Sequence, residues 1–271
     1  METLGDLVAR DRRSDHTALR ADAADRALTY HDFCTTAWKA GNYLRYLGVG
    51  PGDRVAVADD GLPEPVLAVL GAGLLGAVVS VGVDEYAGRD GDGAGTEDGG
   101  RGGDGVENAD GSPDGTPAPP RVVVAPVARE AEFDLPGGSR LLTYGGVPER
   151  PRTAHWEGDV WSENPAFPPV DVDPSSPALW DAGAPDGEGG SYSHAEVLGA
   201  AAAVVKAHDL DAETDVAVRG SLRRPAVVVA GVVAPLLAGG TVVFPAADTV
   251  CDARIGDGGP ESTAVDPARV L

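Results

Sequence analysis

The 271-residue chain carries 43 Asp and Glu against 21 Lys and Arg, a formal net charge of −22 at pH 7, and its only lysines are Lys39 and Lys206. A surface so poor in cations offers no basic footprint for phosphate backbones, which excludes nucleic acid as a partner. It is the balance expected of a protein kept soluble in concentrated salt, where screening removes most self-repulsion, with an ordinary acidic cytosolic protein as the alternative.

Two cysteines, Cys34 and Cys251, fit a reducing compartment, and the first fifteen residues have no apolar run of signal-peptide type, so a cytoplasmic location is expected. The apolar runs 66–83 and 225–247 raise the question of a membrane. Both are broken by Gly and end in Val-rich segments, as a buried helix feeding a buried parallel strand would be, and no membrane partner is expected.

In chain order, Leu4–Val8 starts amphipathic. Thr29 then caps a helix whose Phe33, Ala37, Ala40, Tyr43, Leu44 and Leu47 share one face, and Gly48–Gly52 ends it. A strand is expected at 53–58, a helix at 65–76 and a strand at 77–83. Residues 86–120 are dominated by Gly, Asp, Pro, Ser, Thr and Glu and cannot bury enough apolar surface to order, so they read as a disordered linker. Within them Asp90-Gly91-Asp92-Gly93 is similar to the start of a calcium loop. Arg101, however, stands where the closing Glu would be, and no metal is expected. Strands follow at 121–127 and 141–144, and 145–173 reads as extended over the surface, with His155 and Trp156 on it in no metal-binding spacing.

The second half repeats the first: a capped helix at 193–208, a strand at 215–218, a Pro-started apolar segment at 225–238 and a strand at 241–244. The tail beyond Asp248 holds at most a strand end. The expected fold is therefore α/β, two repeated helix–strand–helix–strand layers with mostly parallel sheets, interrupted by the acidic Gly-rich insertion. It divides into 1–85, the linker 86–120, and 121–271.

The stretch around which the chain is organised is Asp173–Ala203, read as a strand (Pro177–Trp180), a Gly-rich loop, and a helix opened by the capping box Ser193–Glu196. A loop between a strand and a helix N-terminus is where backbone N–H groups can cradle a phosphate. This one carries Asp181, Asp186 and Glu188 and no cation. The scaffold of a nucleotide site is present without its chemistry.

Leu28-Thr29-Tyr30, the helix after it, and Gly48-Val49-Gly50-Pro51-Gly52-Asp53-Arg54-Val55-Ala56 together resemble the opening of the adenylate-forming superfamily, which includes acyl-CoA synthetases, luciferases and peptide-synthetase adenylation domains. Pro235–Val243 is similar to the family's P-L-L-x-G-A-x-V-V stretch. The resemblance covers most of residues 1–85 and 173–245 and implies the fold of the family's N-terminal domain, with ATP or AMP and Mg²⁺ as cofactors. The family's phosphate loop is close to Y-T-S-G-T-T-G-x-P-K-G followed by Ser-His. On that match the remnant of the site is Asp181, Gly183, Gly187, Gly189, Gly190 and His194. The hydroxyl positions are Asp181, Ala182, Ala184 and Pro185, and the Lys position is Gly189. Carboxylates then stand where a triphosphate should sit, which opposes its binding in a partly desolvated site. Ser221-Leu222-Arg223-Arg224 replaces the family's Pro-Leu-x-His, and the later adenine, ribose, Mg²⁺ and lid motifs do not follow.

The expectation is thus a truncated, non-catalytic acyl-CoA-synthetase-like protein with no catalytic residues, binding another protein or a full-length relative. The alternatives are a ligase with residual or partner-complemented activity and an α/β interaction module that shares only the scaffold.

Overall fold

The computed structural model describes residues 1–88, 119–181 and 190–271, so the expected linker lies almost wholly outside the described residues, as do Gly183, Gly187 and Gly189. The first strands are β1 (Thr17–Ala21) and β2 (Arg26–Thr29), followed by the helix α1 (Tyr30–Tyr46). Next come β3 (Arg54–Val57), α2 (Pro63–Gly73) and β4 (Val78–Val81), then β5 (Val122–Pro126), β6 (Arg140–Tyr144) and β7 (Ala154–His155). β8 (Pro177–Asp181) and β9 (Gly190–Ser193) precede α3 (His194–Ala207) and β10 (Asp215–Val218). A helical crossover made of α4 (Pro225–Val228), a π turn (Val229–Val233) and α5 (Ala234–Ala238) leads to β11 (Thr241–Phe244). The short strands β12 (Ala253–Ile255) and β13 (Thr263–Val265) close the chain.

These strands form two sheets, ordered β13-β12-β10-β11-β1-β2 and β7-β6-β5-β3-β4-β8-β9. Every pairing is parallel except β1 with β2 and β8 with β9. The sheets exchange strands across the sequence. β1 lies beside β11, with Leu19 opposite Val242, while β8 lies beside β4, with Val79 opposite Leu179. No single chain position separates one sheet from the other.

Local chemistry explains the elements that sequence patterning found. Thr29 accepts the Asp32 N–H at 3.1 Å and starts α1. Ser193 and Glu196 form the expected reciprocal capping box at α3, with bonds of 2.8 and 3.2 Å. Apart from Arg54 and Thr241 the residues of β3, β5 and β11 are apolar, and Val55, Val57, Val122, Val124 and Val242 are fully buried, as strands covered on both faces require.

Four features differ from the sequence reading. β1 and β2 occupy the stretch between Val8 and the Thr29 cap, where no strand was expected, because their alternation is too short to register against the charges around it. β12 and β13 continue the β10–β11 sheet into a tail that read as holding at most a strand end. The 145–173 segment is not wholly superficial: Trp156 and Val160 are fully buried in a π turn (Trp156–Val160). Asp159 pins that turn by accepting the His155 N–H at 2.8 Å and the Tyr43 hydroxyl at 2.9 Å. The fourth concerns the loop after β8, and it changes the site.

Candidate functional site

The Gly-rich loop does not run from a strand into a helix. It closes an antiparallel hairpin in which Asp181 lies opposite Gly190 and Pro177 opposite Ser193. The chain leaves the loop, runs back along β9, and only then enters α3, so the helix N-terminus sits at the opposite end of the hairpin. At about 3.3 Å per residue, four strand residues put roughly 13 Å between the loop and the first turn of α3. The α3 N-terminus also has its own occupant, the Ser193–Glu196 box. A phosphate held by helix N–H groups is therefore not what this hairpin offers.

His194 goes with the helix and away from the loop. It is fully buried, and its Nδ1 accepts the Leu4 N–H at 3.2 Å. Burial holds its imidazole below its ordinary pKa, against a smaller opposing pull from the carboxylate of Asp6. Of the sequence-derived site residues, the structure brings Asp181 and Gly190 together and separates His194 from both.

Asp181 faces a cavity of about 590 Å³ at the carboxyl ends of β4 and β8, a position where open α/β sheets hold ligands. Val81 and Gly82 form one wall and Pro225 and Ala226 another, with Pro267, Ala268 and Leu271 beside them. The charged and aromatic groups at its rim are Asp84, Glu85, Asp181, Tyr192, Arg223 and Arg224.

Arg223 is committed within the protein. Its guanidinium pairs closely with Asp84 and lies 3.9 Å from Asp59. Asp84 also accepts from Arg129 at 2.8 Å, and the two guanidinium hydrogen bonds, Arg129 first, hold its carboxyl below the usual range. Asp59 accepts the Ser221 hydroxyl at 2.5 Å and the Leu222 N–H at 2.9 Å. Gly82 takes φ of +116°, and a Cβ there would lie 3.3 Å from the Arg223 guanidinium carbon. The absence of a side chain at Gly82 is what lets Arg223 fold across the end of β4. Loop 221–224 is thus stitched to the ends of β3 and β4 by two aspartates. Among the described residues Arg224 has no ion-pair partner.

This arrangement does not fit a nucleotide triphosphate. With Asp84 and Arg223 paired to each other, Glu85 and Asp181 stand at the rim against Arg224, and the loop sequence adds Asp186 and Glu188 with no lysine. No group of His, Cys, Asp and Glu among the described residues could hold a metal ion, and no helix among them is long and apolar enough to cross a membrane. Sequence reasoning met the doublet Arg223-Arg224 as part of the segment that replaces Pro-Leu-x-His. It missed Asp59 and Asp84, which are two loop aspartates among many until the sheets bring them to that doublet.

Comparison with known proteins agrees with the geometry of the scaffold. Residues 8–89 match the family described as AMP-binding enzyme. That match lies within the first third of the chain, which there is similar to AMP-binding enzymes. An acetyl-coenzyme A synthetase of Xylella fastidiosa is 36% identical over 74 residues, which are 26% of this chain and 11% of that protein. Among solved structures, ATP-bound MatB from Rhodopseudomonas palustris aligns with a TM-score of 0.66 at 16% identity, over 94% of this chain and 49% of MatB. The N-terminal domain of FACL13 from Mycobacterium tuberculosis aligns with a TM-score of 0.64 at 17% identity, over 92% of this chain and 58% of that one. These likenesses give the fold, and the chain spans less than two thirds of each relative.

Proposed function

We propose that this chain is a non-catalytic, acyl-CoA-synthetase-like binding module of the cytoplasm that keeps the adenylate-forming scaffold and uses it to engage another protein, which could be a full-length relative. The observation that carries this reading is the charge at the cavity rim. Glu85 and Asp181 face the space beside the phosphate-loop hairpin, and the further carboxylate and arginine there, Asp84 and Arg223, are paired with each other. Like charge in a partly desolvated site opposes a triphosphate by a few kcal/mol on general electrostatic grounds, roughly what one lost oxyanion-stabilising donor costs. The acidic, lysine-poor surface further supports a role in concentrated salt, where a protein partner is held mainly by apolar contact.

A second reading, a ligase with residual or partner-complemented activity using ATP or AMP with Mg²⁺, is favoured by one observation. Arg224 lines the same cavity without an ion-pair partner among the described residues and could meet an anion.

Calorimetry with ATP and with AMP, in molar KCl with Mg²⁺, separates the two. The non-catalytic reading expects no binding tighter than about 100 µM, equivalent to about −5.5 kcal/mol. Tighter binding of either nucleotide, followed by pyrophosphate exchange with any carboxylic acid, would replace it with the ligase.

A further inference from the structure

We propose that the N-terminal segment Met1–Arg13 is an acid-released strap, closed by neutral His194. Its apolar residues Leu4, Leu7 and Val8 are fully buried. Leu4 packs on α2 so closely that a Cβ on Gly73 would lie 3.0 Å from it. The Trp38 indole N–H of α1 donates to the Val8 carbonyl at 2.9 Å, and the Arg13 guanidinium lies 4.3 Å over the same ring. Arg12 donates to the Leu236 carbonyl of α5. The segment thus bridges α1 and α2 to α3 and α5, and its link to α3 is the bond from Leu4 N–H to His194 Nδ1.

That bond exists in one protonation state only. Nδ1 can accept while the ring is neutral, with the proton on Nε2. A second proton placed on Nδ1 would set two N–H donors against each other inside the fold. Nε2 is itself buried without a partner among the described residues, so the imidazolium finds among them no acceptor for either of its protons. The first turn of α3 adds the positive end of the helix, which also disfavours the cation.

The elements around the ring do little to offset this. The strap contributes Asp6, whose carboxylate is held by the Glu2 and Thr3 N–H groups at 2.6 and 3.0 Å. α5 and the π turn before it carry no titratable side chain, β8 contributes Asp181 at its far end, and β9 contributes Tyr192. On α3 itself, Glu196 is bonded to Ser193 and Lys206 lies at the other end. The sign follows. The folded imidazole titrates below its unfolded value of about 6.5, so its contribution to closure is complete above that pH and is lost as pH falls below it.

Amide hydrogen exchange on the full chain tests this, with wild type compared against His194→Asn, whose side-chain oxygen can accept from Leu4 but does not titrate. In wild type the protection factors of residues 4–8 should fall at least tenfold between about pH 7.5 and 5, while those of α2 and β3 hold. In the Asn variant they should stay level. An equal fall in both proteins, no fall in wild type, or a fall shared by the whole core would overturn the proposal. Should the variant not fold, NMR titration of wild type decides. The Leu4 amide and the His194 ring must share one midpoint below about 6.5, and separate midpoints would refute the strap.

Discussion

The crossover from β3 to β4 is one unbroken helix, whereas that from β10 to β11 passes from α4 through a π turn into α5. Yet both begin at a proline, both are apolar and deeply buried, and both deliver the chain to a pair of valines. The difference lies in where the later proline falls. Pro63 and Pro65 sit in the first turn of α2, where a missing N–H has no intrahelical partner to lose. Pro235 comes ten residues into the second crossover, where it removes the bond to the Gly231 carbonyl, and Gly231 lies in the π turn. Apolar pattern sets burial in both crossovers, and the position of one proline sets whether the helix stays regular.

The two crossovers also use a glycine differently, and substitutions can break or sharpen that contrast. The largest effect should come from Gly71→Ala. Its Cβ would lie 2.8 Å from the Gly41 backbone nitrogen of α1, so two helices must separate, at a cost of about 3 kcal/mol in urea unfolding. Glu64→Ala comes next. Glu64 is buried in the first turn of α2 and pairs with Arg26 at 2.7 Å. Because Arg26 reaches solvent, the loss should be about 2 kcal/mol, below that of a fully buried pair. Gly231→Ala should cost about 1–2 kcal/mol, since its Cβ meets side chains that can shift, Ile255 Cγ2 at 2.6 Å and Val218 Cγ2 at 3.0 Å. Combined with Ile255→Ala it should cost less than the two single changes summed. If Gly231→Ala proved as damaging as Gly71→Ala, the second crossover would be as rigid as the first.

The smallest effect concerns pH. Arg219 holds Glu261 in a buried pair at 2.5 Å and donates to the Thr249 carbonyl at 2.7 Å, fixing the strands against which Gly231 packs. The guanidinium hydrogen bonds keep the Glu261 carboxyl below its usual range, so the stability it confers is present above about pH 4.5 and lost as pH falls through its folded value. Glu261→Gln should flatten the acid limb of a stability–pH curve.

Much of this was legible in the residues. The Thr29 and Ser193 caps, the two Pro-started crossovers and the Val-rich parallel strands all announce themselves locally, because cap chemistry and continuous apolar runs need no knowledge of the partner. β9 did not, since Gly190–Ser193 has neither alternation nor an apolar run and becomes a strand only by pairing with β8. That omission turned a hairpin into a strand–loop–helix and set His194 beside the loop. Asp59 and Asp84 were equally silent, because their role depends on a loop more than a hundred residues away, as the separation of 162 between Asp59 and Ser221 shows.

The exchange of strands between the sheets bears on how the chain is made. Thr241 donates its hydroxyl proton to the Thr17 carbonyl across 224 residues, and β1 has no other parallel neighbour than β11. During synthesis β1 and β2 therefore emerge long before the strand that receives them, and form at best a two-stranded ribbon of marginal stability. The β3–β6 half of the other sheet can assemble meanwhile, but its β4 edge stays open until β8 arrives. Closure of the two sheets waits on β8 and β11, so folding should be slow and a nascent chain stalled before β8 should expose two unpaired edges at once, those of β1 and β4.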